Sequence, residues 1–445
     1  MSDIKSIKFI SDSSLCCACG ACETVCPTGA ITMNFLPSGF LCSNVNSLCI
    51  SCGKCLKVCP SYIKNASSVL RNMDLLKKTP VSIFGLIAHS TDSNIRYHGQ
   101  SGGVVTSLLK WLLETGCIEG AVVNRFDEAL QKNVTIISDR VEDITAASGS
   151  NYIQSSTLSE LGCRKFETLA IVCTGCQSQA LHLMENNLHY EHPYIVIGLV
   201  CEGCYNREMF FDLTKERLSL GSIREFRFRD KRNGGWPGGV YIRYLNGRVI
   251  KKSIASRANL KKYYTTYRCL QCFDMNNNYA DIVVGDPWCF YKSINKNELK
   301  KGETVVIART EKGASLLLKA QQENVIDAKE IEPELFFSWN SFREGRTEKT
   351  IIANMFCDEN RLPCIYNNDD YTVIKNHLPY DRMEINKKDV ERQVLFSYQV
   401  YNCQSEDRFK KLIQDQKKRD RWVRLFTKPK MFIKNIIVCL KSKFF

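Results

Sequence analysis

Two runs of one cysteine pattern constrain this chain more than anything else in it. Cys16, Cys19, Cys22 and Cys26 precede Pro27, and Cys49, Cys52, Cys55 and Cys59 precede Pro60, so each run spells C-x2-C-x2-C-x3-C-P. Three cysteines two residues apart wrap one loop around a 4Fe–4S cubane and reach three irons from one side, leaving the fourth iron to a ligand from elsewhere. With two runs in one short segment, that fourth ligand is exchanged between them. The spacing therefore groups Cys16, Cys19 and Cys22 with Cys59, and Cys49, Cys52 and Cys55 with Cys26. Gly20 and Gly53 follow the second cysteine of each run, where the backbone bends tightly and turns its N–H groups toward sulfur. Cys17 and Cys42 fall outside the spacing and are left unligated.

Paired C-x-x-C steps also build structural zinc sites, but those draw four ligands from two separated pairs. Here each run packs four cysteines into eleven residues and closes on proline. Iron–sulfur clusters are the expectation, and with them electron transfer.

At 445 residues the chain exceeds one typical core, so a small cluster domain plus one or two larger units is expected. Its 23 cysteines are not read as disulfides, because the start MSDIKSIKFI lacks a cationic segment, an apolar stretch and a cleavage site. A reducing, cytoplasmic setting is expected. No apolar run approaches the ~20 residues of a membrane span, the longest being IVIGLV at 195–200 and IIVCL at 436–440. The formal charge is +14, and residues 406–445 hold thirteen basic side chains against four acidic ones. No RNP motif, zinc-finger spacing or helix-turn-helix pattern accompanies that charge, so nucleic acid is not an expected partner.

Between the cysteine runs, AITMNF and FLCSN flank LPSG and read as a hairpin. Residues 61–80 lack periodicity and read as a linker or short helix, with a domain boundary near 80. From Val81 strands alternate with amphipathic helices. VSIFGLIAHS, GAVVNRF, TLAIVC and YIVIGLVC read as strands, and SGGVVTSLLKWLLETG as a helix with Val104, Val105, Leu108, Leu109, Leu112 and Leu113 on one face, stopped by Gly116. That order predicts an α/β domain with a partly parallel sheet.

Ser101, Gly102 and Gly103 open this helix, where free N–H groups and the positive dipole end can receive a phosphate; an ordinary glycine-started helix reads the same way. SGSNYIQSS, at 148–156, is a ligand-facing loop or a plain polar turn. Cys173 and Cys176 follow one predicted strand and Cys201 and Cys204 another. As parallel neighbours these strands deliver both pairs to the carboxyl edge of the sheet, where open α/β folds bind ligands. A third pair, Cys269 and Cys272, precedes ADIVVGD, a strand ending at Gly285 and Asp286. Six such cysteines suggest a further metal centre; buried apolar thiols, zinc and a redox-active C-x-x-C remain open alternatives. His98, beside the glycine loop, is the one histidine near these segments and reads as a surface residue rather than a base.

In order, GQSGG, SNYIQSS, TGCQSQAL, GLVCEGC, FRDKRNGGWP and YRCLQC followed by ADIVVGD resemble the family of coenzyme F420-reducing hydrogenase beta subunits, over about residues 80–345. Its members include formate dehydrogenase beta subunits, a respiratory input subunit, a chlorophyllide reductase and homologues encoded with polysaccharide genes. The resemblance implies an iron–sulfur flavoprotein with FAD on the α/β domain. It implies Cys176, Cys201, Cys269 and Cys272 as ligands of a third cluster, with Cys173 and Cys204 as extra thiols that could replace a neighbour. It also implies that Ser101, Gly102, Gly103, Thr106, Asn151, Tyr152 and Gln154 line the flavin, with Lys231 and Asp286 on the ring or substrate side. Gly234 and Gly235 lengthen the usual spacing near Lys231.

The expected architecture is a ferredoxin-like α+β domain at 1–68 followed by a mixed α/β flavin-binding domain. The latter divides into 80–160 and 161–345, and a C-terminal extension occupies 346–445. The main functional reading is an iron–sulfur flavoprotein oxidoreductase that passes electrons between its clusters and FAD to act on a small-molecule substrate, with ferredoxin or another oxidoreductase subunit as redox partner. The alternative is an electron-input or electron-transfer subunit, linked to coenzyme F420 or nicotinamide, with no substrate chemistry of its own. A pure carrier without flavin is the third reading. In the tail, RWVRLFTKPKMFIKNIIVCLKSKFF mixes apolar and basic residues without an acid, and positions 432, 433, 436, 437 and 440 recur at helical spacing. That stripe reads either as a peripheral contact with the inner membrane face or as a face packed back on the protein.

Overall fold

The computed structural model describes residues 6–65, 82–163, 166–190, 194–214, 222–342, 345–366 and 380–427. Most of the expected linker, residues 66–80, and the apolar stripe beyond residue 427 lie outside these segments. The hairpin between the cysteine runs is present: β1 (Ile31–Phe35) pairs antiparallel with β2 (Leu41–Val45), Phe35 opposite Leu41. The turn closes through Leu36 and Phe40, with Gly39 at φ +78°, a backbone that a side chain resists. Phe40 points inward and its ring lies 5.1 Å from that of Tyr401, near the far end of the chain.

The α/β unit is one eight-stranded sheet. In chain order its strands are β3 (Phe84–Ser90), β4 (Gly120–Asp127), β5 (Lys132–Ser138), β6 (Leu169–Thr174), β7 (Tyr194–Leu199), β11 (Ile282–Gly285), β12 (Thr304–Ala308) and β13 (Ile326–Ile331). Their spatial order is β13-β3-β12-β11-β7-β6-β4-β5. Strands β4, β6, β7 and β11 pair in parallel, while β12 runs antiparallel to both β11 and β3, so β3 shares the direction of the parallel set. The carboxyl ends of β3, β6, β7 and β11 thus face one edge. The continuous β-branched runs of β7 and β12 suit strands covered on both faces. Helix Val104–Glu114 covers one face with Val104, Leu108, Leu109 and Leu112 buried; Val105 and Leu113 are only half-buried.

A second, three-stranded sheet was not legible in the sequence. Strands β8 (Ile223–Asp230), β9 (Gly239–Tyr244) and β10 (Val249–Lys252) form an antiparallel meander whose Phe226 and Phe228 meet Phe126 and Phe210. The C-terminal extension is part of the fold. Helices Arg346–Glu359 and Tyr380–Tyr401 share a buried cluster with Ile7, Ile10 and the cysteine-bearing loops. Helix Glu406–Thr427 follows, and its Asp420 accepts from Lys262 and from Tyr263. No described helix is long and apolar enough to cross a membrane.

Candidate redox site

The thiols of the first cysteine run face one another. Burial, together with the Cys16, Cys59 and Cys55 thiols, pushes Cys22 well above its ordinary range, and burial with Cys16 pushes Cys59 to about 12. Cys19 is also raised: a Cys17 hydrogen bond that lowers it is outweighed by burial and by Cys22 and Cys59. Cys59 thus packs among Cys16, Cys19 and Cys22. In the second run Cys55 lies near Cys52 and Cys49, while Cys26 receives the Ala30 N–H at 3.3 Å. Both glycines adopt positive φ, Gly20 at 89° and Gly53 at 73°, each capping a four-residue helix.

The six later cysteines separate into two environments. Along β6, Leu169, Ile171 and Cys173 alternate onto one face and enter the core, so burial drives the Cys173 thiol far up. The remaining five converge at the carboxyl edge. Cys176 sits in the first turn of helix Gly175–Leu188, whose capping box joins Thr174 and Gln177. Gly203 N–H points at Cys201 sulfur at 3.4 Å, and Cys204 N–H points at Cys269 sulfur at 3.4 Å. A hydrogen bond from Cys204 pulls the Cys201 thiol down against its burial, helped by Arg346 and Lys261. Cys269 and Cys272 both lie near Cys201 and Cys176. Cys173 is the one of the six buried in the core, next to Cys176, and Cys204 stands as a fifth thiol at the edge.

Cys17, given no role by its spacing, lies against Cys176 on one side and Cys19 on the other. It joins the two thiol groups. Among the described residues no three His, Cys, Asp or Glu side chains converge as ligands of a single ion would.

The residues that the resemblance assigned to a flavin divide sharply. Ser101 Oγ and Trp236 Nε1 donate to one oxygen of Asp286, the latter at 3.0 Å, and Arg229 donates to the other at 2.6 Å. Burial alone would raise the Asp286 carboxyl, but Arg229 and these hydrogen bonds hold it below its usual range. Arg229 also reaches the Tyr152 hydroxyl at 3.3 Å. Tyr152 stacks on Tyr205 at 6.0 Å and carries the Arg257 guanidinium 4.0 Å from its ring centre. Ser101, Tyr152 and Asp286 thus form one polar and aromatic assembly at the edge of β11.

Others are engaged elsewhere. Gln154, 2% exposed, accepts from Leu41 N–H at 3.1 Å and donates to Leu41 C=O at 3.4 Å, so its amide ties the α/β unit to β2 rather than facing a cofactor. Lys231 donates to the carbonyls of Arg96, Ser101 and Lys301, the last two at 2.7 Å, and so braces the glycine loop from behind. Burial and the Arg96 charge draw its ammonium down to about 7, while the three carbonyls favour the protonated form. A Cβ on Gly102 would meet Ala88 O at 2.5 Å, and one on Gly103 would meet Ile95 O at 2.8 Å. Backbone packing by itself requires both glycines. Thr106 is buried in the helix's first turn, and Asn151 donates to Asn124 O at 3.2 Å. Arg229 had no signal in the sequence beyond its place two residues before Lys231.

A ferredoxin-like unit fused to a mixed α/β unit, with further thiols at the sheet edge nearest the cysteine runs, defines an iron–sulfur oxidoreductase class. Residues 14–63 match the 4Fe-4S dicluster domain, 86–161 the coenzyme F420 hydrogenase/dehydrogenase beta subunit N-term, and 166–334 the corresponding C terminus. The chain belongs to that family of beta subunits. It is 27% identical to the coenzyme F420-dependent sulfite reductase of Methanocaldococcus jannaschii, over 73% of this chain and 48% of that protein. It thus spans about half the length of this relative. It is 27% identical to a subunit of the F(420)H(2) dehydrogenase of Methanosarcina mazei (63% and 77% covered), and 25% identical to the coenzyme F420 hydrogenase subunit beta of Methanothermobacter thermautotrophicus (60% and 92% covered). A chain of the F420-reducing [NiFe] hydrogenase complex of Methanosarcina barkeri superposes with a TM-score of 0.48 at 20% identity, covering 62% of this chain and 94% of that one.

Proposed function

We propose that the chain is an electron-input or electron-transfer subunit, holding three 4Fe–4S clusters and FAD and working with another oxidoreductase subunit. Cys16, Cys19, Cys22 and Cys59 would hold the first cluster and Cys26, Cys49, Cys52 and Cys55 the second. Cys176, Cys201, Cys269 and Cys272 would hold the third, with FAD beside the Ser101, Tyr152 and Asp286 assembly. When bound, flavin and clusters supply conversion between hydride and single electrons. The observation that carries this reading is the contact of Cys17 with both Cys19 and Cys176, which makes two thiol groups from distant parts of the chain neighbours. Backbone N–H groups aimed at Cys201 and Cys269 stabilise negative charge on sulfur. At the other end Cys52 is exposed beside Leu48 and Ile50, the latter 64% exposed, and offers an apolar face to a redox partner.

The subunit reading is favoured over a self-contained reductase because two of the relatives above carry subunit names. Anaerobically purified protein should carry close to twelve irons and one releasable flavin. Reduced coenzyme F420 or a reduced nicotinamide should bleach the cluster absorbance, and colour should return only when a redox acceptor protein is added. Turnover of a small organic acceptor by the chain alone would reject the subunit reading in favour of the reductase.

A further inference from the structure

Arg268 is 2% exposed, and among the described residues no carboxylate lies within ion-pair distance of it. A guanidinium buried without a counter-charge costs several kcal/mol, so something else offsets it. Its Nε donates to Ser61 Oγ at 2.8 Å and its Nη2 lies 3.5 Å from Pro60 O, the two residues that directly follow Cys59. On its own helix it is followed by Cys269, and its charge bears on Cys272, Cys17 and Cys176. The cation therefore stands between the thiols of the first run and those of the sheet edge. Neutral hydroxyl and carbonyl partners orient it but leave its charge unbalanced.

We propose that Arg268 is a shared counter-charge that sets the redox balance of the first and third clusters together. This rests on the three-cluster reading above. A cubane with four thiolates is anionic, and each added electron deepens that charge. A fixed cation in a low-dielectric site stabilises the reduced form and raises the potential. One cation shared by two clusters raises both potentials relative to that of the second cluster. The second cluster is offered no such buried cation by Arg268, whose contacts lie on the Cys59 side and the Cys272 side.

The test is a redox titration of anaerobically purified full-length protein, followed by electron paramagnetic resonance. The second cluster's signal is assigned by its loss in Cys52→Ala. Arg268→Gln should shift the reduced-to-oxidised ratio of the first and third clusters at a fixed potential by at least tenfold toward the oxidised form, about 59 mV for a one-electron couple. The second cluster should stay unmoved, and Arg268→Lys should return the other two toward their original values. Full iron content in Arg268→Gln with no shift, or with an equal shift of all three clusters, overturns the proposal. If Arg268→Gln loses iron, Arg268→Lys decides: retained iron and potentials support charge as the cause, and equal iron loss makes Arg268 a packing residue only. Eight irons in the unaltered protein would instead remove the third cluster and the reading beneath this one.

Discussion

The two cysteine runs are the same motif in two settings. The first is docked: Leu158 N–H donates to Cys19 O at 2.9 Å, Thr24 donates to Leu158 O, and Ser159 donates to Glu23. The second is buried at Cys55 and Cys59 but opens outward at its start, with Cys52 exposed and nothing within 4 Å of where a Gly53 side chain would stand. Spacing alone makes the runs equivalent; burial gives them different work. The inner one is suited to exchange electrons with the sheet-edge thiols and the outer one to meet a partner.

The largest expected effect separates the runs outright. On brief exposure to air, about four of some twelve irons should leave first, from the second run, because oxidation follows thiol exposure. Iron analysis and visible absorbance over time check this, and loss of both N-terminal clusters at one rate would break the comparison.

Next comes a paired substitution. A Cβ at Gly20 would stand 2.6 Å from Ser159 N, a backbone atom that cannot step aside. Gly20→Ala should therefore lose the first cluster and lower the melting temperature strongly. Gly53→Ala meets open space and carries only the left-handed backbone penalty of about 1–2 kcal/mol. Equal destabilisation of the two variants would show that docking of the first run adds nothing.

Gln154→Ala should cost about 1–3 kcal/mol by leaving the buried Leu41 N–H and C=O without their side-chain partner. Denaturant unfolding reads that loss, and flavin content should not change. A variant that folds normally but loses flavin would return Gln154 to the cofactor. The smallest effect is expected at Cys173→Ser, about 1–2 kcal/mol for a hydroxyl in an apolar core. Iron content should stay whole, whereas Cys272→Ser should lose about four irons.

Much of this could be read in the sequence, for a local reason. A cluster loop is made of cysteines a few residues apart, so the proposed exchange of Cys59 and Cys26 rests on spacing. The hairpin at 31–45 and the strands that carry Cys173 and Leu199 follow from apolar runs and turn residues. Even the burial of Cys173 was within reach, since a period of two puts it on the face of Leu169 and Ile171. The residues that the resemblance assigned to a flavin were less legible because a polar side chain looks alike whether it meets a cofactor or a carbonyl. Gln154 and Lys231 turned to backbone for that reason.

What the sequence determined by itself, then, are the features whose partners lie within one loop or one strand: two cysteine runs, a hairpin, a partly parallel sheet with thiols at its carboxyl edge. Only the tertiary structure decided what those elements meet. It set Cys17 between Cys19 and Cys176, turned Arg268 toward Ser61, and packed helices 346–359 and 380–401 over the cluster loops. Those contacts join residues more than a hundred positions apart. Their energy comes from burial and from charge held in a low dielectric, which depend on what surrounds a side chain rather than on what precedes it in the chain.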